Sequence, residues 1–154
     1  MLKFVNTDIV FQEIPDEVTL AINLSGCPCH CPGCHSPFLW GDVGTPLTTT
    51  ELDRMIEMHH SITCVALMGG DAEPKQIEVL ARHIHEHHKG IKAAWYSGRT
   101  IIAPNVDRCS FDYIKVGPYL KHLGPLRSKR TNQRLYRISN GKMNDITSRF
   151  WRQN

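Results

Sequence analysis

Four of the six cysteines stand within eight residues, in the run Cys27-Pro28-Cys29-His30-Cys31-Pro32-Gly33-Cys34-His35. Thiolates are soft ligands, and a tight group of them selects zinc, copper(I) or an iron–sulfur cluster. Structural zinc usually joins two knuckles separated along the chain, and no second knuckle follows this one. A ferredoxin-like cluster takes four cysteines, commonly with one of them distant in sequence; Cys64 and Cys109 are the distant ones here. Secreted disulfide scaffolds instead spread their cysteines to close loops. The first residues, MLKFVNTDIVFQEIPDE, carry no signal-peptide hydrophobic region, so reduced thiols in a cytoplasmic protein are expected.

Something must hold such a run in place. It opens the most irregular stretch of the chain, residues 27–48, which contains Pro28, Pro32, Gly33, Pro37, Gly41, Gly44 and Pro46. That stretch reads as a long loop, and long loops in compact domains are usually functional. Before it, residues 18–24 (VTLAINL) suit a buried strand. After it, Thr48 to Glu51 has the form of a capping box, with Leu52, Met55 and Ile56 at helical spacing. Further strands are expected at residues 62–68, 91–96, 113–116 and 135–138. A helix is expected from Pro74 up to Gly90, burying Ile77, Leu80, Ala81 and Ile84 and exposing Lys75, Glu78, Arg82 and Glu86.

Continuous apolar strands that alternate with amphipathic helices and end in glycine build βαβ units, so the expected class is α/β with a mostly parallel sheet. Ligands of such sheets bind beyond the carboxyl ends of the strands. Ser25-Gly26-Cys27, Gly69-Gly70-Asp71, Ser97-Gly98 and Gly117-Pro118 all fall there. With 154 residues a single domain over 1–154 is expected, too short for a closed eightfold barrel of roughly 200 residues or more. An open partial (β/α) barrel is the remaining form.

Cys27, Cys31 and Cys34 have the spacing C-x3-C-x2-C, and at this point the chain resembles the radical S-adenosylmethionine superfamily. Gly69-Gly70-Asp71 matches that family's GGE motif, with Asp71 in place of Glu. The words Ser25-Gly26-Cys27, Pro32-Gly33-Cys34-His35-Ser36-Pro37, Tyr96-Ser97-Gly98, Gly117-Pro118-Tyr119 and Thr131-Asn132-Gln133-Arg134 are similar to those of the activating proteins of anaerobic ribonucleoside-triphosphate reductase, a group of glycyl-radical activases. The resemblance spans roughly residues 20–138 of the sequence and implies a partial barrel of the radical S-adenosylmethionine type. It also implies a [4Fe-4S] cluster on Cys27, Cys31 and Cys34, with the fourth iron left open for the amino and carboxylate groups of S-adenosyl-L-methionine. Gly33, His35, Gly69, Gly70, Asp71, Ser97, Lys115 and Gly117 are then the cofactor-side residues. Cys29 lies outside the cluster, since its ligation would close the open iron.

The chemistry implied is reductive cleavage of the sulfonium to methionine and a 5′-deoxyadenosyl radical, which takes a hydrogen atom from a partner's glycine. The cofactors carry the hard chemistry and the protein positions them, so no acid–base dyad is sought. The implied partners are the large subunit of anaerobic ribonucleotide reductase and a flavodoxin- or ferredoxin-type reductant. The alternatives are an activase of another glycyl-radical enzyme, a non-catalytic single-cluster electron carrier, and a zinc-bound interaction module.

Hydrophobic residues are 41% and charged residues 21%, which excludes disorder as the main state. No apolar run approaches the length of a membrane span. Residues 1–112 hold 8 Lys/Arg against 14 Asp/Glu, while residues 113–154 hold 10 against 1. Without an aromatic stacking pattern this basic stretch is not expected to bind nucleic acid directly. It reads as a docking face for an acidic partner or as a loop around the cofactor, with Lys115 and Arg134 as candidates. His83 and His87 have the one-turn spacing of a metal pair, but no third ligand or second shell is legible, and the tract is read as non-ligating. Cys64 is expected to be a buried structural thiol.

Overall fold

Four apolar runs form the middle of a sheet in the computed structural model, which describes residues 1–29 and 37–151. They are β2 (Thr19–Leu24), β4 (Cys64–Met68), β5 (Lys92–Tyr96) and β6 (Tyr113–Val116), neighbours in that order and parallel throughout. Burial on both faces explains why they read as continuous hydrophobic runs. The flanks are β1 (Lys3–Val10), β3 (Thr45–Pro46), β7 (Arg134–Ser139) and β8 (Lys142–Asp145). All of these pair antiparallel, completing the order β3-β1-β2-β4-β5-β6-β7-β8.

Two α-helices are found among the described residues, α1 (Thr49–Glu57) and α2 (Pro74–His87). The N–H of Glu51 donates to Thr48 Oγ1 (3.1 Å), which starts α1 where expected. Pro74 occupies the first turn of α2, where its missing N–H costs nothing. Leu52 and Met55 from α1 join Ile77, Leu80 and Ile84 from α2 in one core with Ile22, Val65, Leu67 and Trp95 of the sheet. The opposite face carries a smaller core of Ile14, Cys64, Ala66, Ala94, Tyr113 and Leu135, against which Ile146 and Phe150 pack. Cys64 is fully buried, and burial pushes its thiol far up.

The expected open (β/α) barrel of the radical S-adenosylmethionine type, with a mostly parallel sheet, is not what this chain builds. Three of the strand pairings are parallel and four are antiparallel, and both α-helices cover the same face. The result is a small, mostly-sheet protein. Between β5 and β6 the chain makes only a short 3-10 turn, Arg108–Ser110, where a barrel would need a helix. From β6 it returns to β7 through residues 117–133, without regular helix. Glu78 is a second correction. Expected to face solvent, it is only 2% exposed, and it accepts from the Asp107 N–H (2.5 Å) and pairs with Lys75 (3.1 Å) and Arg82 (3.3 Å).

A buried carboxylate also ties the amino-terminal ends of the parallel strands together. Glu17 accepts from Thr63 Oγ1 (2.7 Å) and Tyr113 Oη (2.7 Å) and pairs with Lys92 (3.1 Å). Burial alone would raise its pKa, but the Thr63, Tyr113 and Lys92 donors outweigh burial and hold it below the ordinary value of 4.5. A depressed carboxyl stabilises the fold above its unfolded pKa and loses that contribution as pH falls through the folded one. Glu17→Gln is therefore expected to cost about 1–3 kcal/mol at neutral pH. In urea melts across pH, the gap to wild type should close in acid; a gap independent of pH would contradict this role.

Candidate metal centre

The cysteine run departs from the carboxyl end of β2, and main-chain bonds pin its base. The N–H of Gly26 donates to Gly41 O (2.9 Å) and that of Cys27 to Leu39 O (2.9 Å). Just before them, the Ser25 N–H donates to Lys3 O (3.0 Å) and its hydroxyl to Val43 O (2.5 Å). Both ends of the segment between Cys27 and Leu39 are thus held together beside the sheet. What was expected to be one unbroken loop over residues 27–48 also includes a 3-10 turn, Pro37–Trp40, and the short β3. Cys31 and Cys34, with Gly33 and His35, lie outside the described residues.

Cys27 and Cys29 are both half-buried. The Cys29 thiol donates to Asp71 Oδ2 (3.7 Å). Burial first, then the Asp71 carboxylate and the neighbouring Cys27, push the Cys29 thiol up to about 12. A Cβ added at Gly98 would stand 3.0 Å from Cys29 Sγ, so the glycine leaves room for this sulfur. The structure therefore brings Cys29 against the ends of β4 and β5.

Asp71 is the hub of that corner. It is 5% exposed; Oδ1 accepts from Ser97 Oγ (2.5 Å) and Oδ2 from the Gly98 N–H (2.9 Å). Ser97 Oγ in turn accepts from the Arg99 N–H (3.1 Å). Gly69 receives the Trp95 indole N–H on its carbonyl (2.7 Å), and its own N–H donates to Tyr96 O (3.0 Å). Lys115, 8% exposed, spans Ser97 O (2.9 Å) and Gly117 O (3.1 Å). Asp71, Ser97, Lys115 and Gly117 thus form one hydrogen-bonded rim across β4, β5 and β6, with Gly69 and Gly70 at its end.

The glycines owe their identity to this chain's own packing. Gly70 has φ +80, and an added Cβ would stand 2.5 Å from Ile77 Cδ1. Gly117 has φ +108, and its Cβ would stand 3.0 Å from Gln133 Cα. Both adopt backbone that L-residues avoid, at places where neighbouring atoms already fill the space.

Beside the rim, on the sheet face away from the helices, lies a cavity of about 570 Å³ lined in part by Met68, Tyr96, Lys115, Tyr119, Arg127 and Phe150. Its size is that of a pocket for a small organic ligand. Sequence reasoning missed Tyr119, Arg127 and Phe150 as pocket residues, because only the return loop and the C-terminal turn bring them to the sheet. Arg134, a candidate for the cofactor side, instead pairs with Asp145 of β8 (3.6 Å).

Clustered thiols at the carboxyl ends of parallel strands define a metal–thiolate protein. The chain belongs to the family described as a 4Fe-4S single cluster domain, which it matches over residues 18–108. The match covers Cys27, Cys29, Cys31 and Cys34 and ends before Lys115 and Gly117. No curated protein and no solved structure matches the chain. The soft donor set fits a [4Fe-4S] cluster, and the pinned base holds the first of those donors, Cys27, at the strand ends. No helix among the described residues is long and apolar enough to cross a membrane.

Proposed function

We propose that this iron–sulfur protein is an enzyme that reductively cleaves S-adenosyl-L-methionine and thereby activates a glycyl-radical enzyme, anaerobic ribonucleotide reductase. Cys27, Cys31 and Cys34 would hold three irons. The cluster would supply the electron that breaks the carbon–sulfur bond of the sulfonium. The observation that supports the reading is the contact of the Cys29 thiol with Asp71 (3.7 Å), which sets one cysteine of the run against the rim, while Cys27, Cys31 and Cys34 keep the C-x3-C-x2-C spacing.

The remaining residues bind and position. The Gly69–Gly70 backbone and the Asp71 carboxylate would face the amino end of the cofactor, since a carboxylate suits an ammonium group. The cavity beside Tyr96, Lys115 and Tyr119 would take the nucleoside and keep water from it. Lys121, Lys129 and Arg130, all exposed, present positive charge to an acidic partner such as the reductase subunit or a flavodoxin- or ferredoxin-type reductant.

The test is anaerobic reconstitution with iron and sulfide, reduction, and addition of S-adenosylmethionine. Release of 5′-deoxyadenosine is expected, and Cys29→Ala should retain most of it. A stable cluster that yields none identifies an electron carrier instead. A colourless protein holding zinc and no iron identifies an interaction module.

A further inference from the structure

The histidine tract of α2 has a partner that its sequence does not reveal. Asp53, one turn into α1, places Oδ1 2.7 Å from His83 Nε2 and 2.6 Å from His88 Nε2. The three donor atoms lie within 4.8 Å of one another. The pair expected from helical spacing, His83 with His87, is not the converging one: the His87 ring stacks on His83 at 4.2 Å, and its Nδ1 meets the His83 carbonyl (3.2 Å). His88 is the C-cap of α2, with φ −129 and ψ 72. Leaving helical geometry there carries its ring back to the side of His83.

We propose that Asp53, His83 and His88 form a second metal site, for a divalent ion of the zinc class. Two imidazoles and one carboxylate are the ligands such an ion takes, with water in the fourth position. Both ring nitrogens crowd one carboxylate oxygen, and a single dication between them replaces the protons that would otherwise bridge these contacts. Zinc–nitrogen and zinc–oxygen bonds of about 2.0–2.2 Å set neighbouring donors roughly 3.3–3.5 Å apart in a tetrahedron. The two Asp53–histidine spacings thus need to open by less than about 1 Å, within reach of side-chain rotation. His83 and His88 are 16% and 13% exposed and Asp53 35%, so the site is shielded yet reachable from solvent. Bound metal would join α1 to the end of α2.

Helix α2 runs from the carboxyl end of β4 back to the start of β5. The site therefore sits at the amino-terminal edge of the sheet, away from the cysteine run, and it is independent of the cluster assignment. The experiment equilibrates the full chain, its cluster reconstituted, with zinc, and measures zinc and iron by plasma mass spectrometry and affinity by titration. One zinc per chain beyond the cluster is expected. Losing even an outer-shell partner of a metal ligand costs about 10- to 100-fold in affinity, so His83→Gln or His88→Gln should cost at least that. His85→Ala, whose ring bonds Asp112 instead (2.7 Å), should bind as wild type. Should His83→Gln fail to fold, His88→Gln at the helix terminus carries the same test. Zinc retained equally by both variants, or none retained by wild type, overturns the proposal and leaves a histidine–carboxylate hydrogen-bond cluster. Retention of this zinc in Cys27→Ala separates it from zinc held by the cysteine run.

Discussion

Replacing Cys27 by alanine is expected to abolish cluster assembly and S-adenosylmethionine cleavage together while leaving the fold intact. The main-chain bond from Cys27 N–H to Leu39 O pins the base of the cysteine segment, and alanine keeps it. The side chain is only half-buried, so its loss should change stability by no more than about 1 kcal/mol. Iron content after reconstitution and 5′-deoxyadenosine release check the first part; a urea melt without cluster checks the second. Cys31→Ala and Cys34→Ala should match Cys27→Ala, and Cys29→Ala should not. If all four behave alike, the division of the cysteines into three ligands and one rim thiol is wrong.

Gly70→Ala, just past the end of β4, should be strongly destabilising. Its φ of +80 costs an L-residue about 1–2 kcal/mol. The new methyl would also stand 2.5 Å from Ile77 Cδ1 and 3.1 Å from Leu24 Cδ1, and both side chains are fully buried. Overpacking adds about 1–3 kcal/mol, for a total of roughly 2–5 kcal/mol. Gly26→Ala is the control, because at φ +70 it pays the backbone strain yet meets nothing within 4 Å. Urea denaturation of the two variants isolates the steric part. Equal losses would mean that Ile77 gives way freely and that packing does not dictate the glycine.

The central strands were legible because burial on both faces makes them unbroken apolar runs: β4 and β6 match their expected spans to within two residues. The helices were legible from Thr48, Pro74 and the spacing of Ile77, Leu80, Ala81 and Ile84. Of the flanks only β7 was legible, from residues 135–138. β1 carries Asn6 and Asp8, and the edge strand β8 carries Lys142 and Asn144, exposed polar residues that break up any apolar run. Their antiparallel pairing is what turns an expected barrel into a mixed sheet. Chain resemblance favours the barrel only as far as its strands stay parallel, and here hairpins close both sides.

At the site, the short words at the strand ends were informative because glycine and small polar residues are needed where strands stop beside one another. Asp71, Ser97, Lys115 and Gly117 do converge. Their partners were less legible: the Asp71 carboxylate also bonds Ser97, Gly98 and Cys29. Glu17 and Asp53 gave no signal at all, since their partners stand 30 or more residues away, at Lys92 for one (75 residues) and at His83 for the other (30 residues).

The most direct test of the three-ligand account is the electron paramagnetic resonance spectrum of the reconstituted, reduced protein, recorded without and with S-adenosylmethionine. The cluster signal is predicted to shift on addition of S-adenosylmethionine, in wild type and in Cys29→Ala alike, because one iron remains free to take the cofactor. A signal that S-adenosylmethionine leaves unchanged, from a cluster that fails to assemble without Cys29, would contradict it.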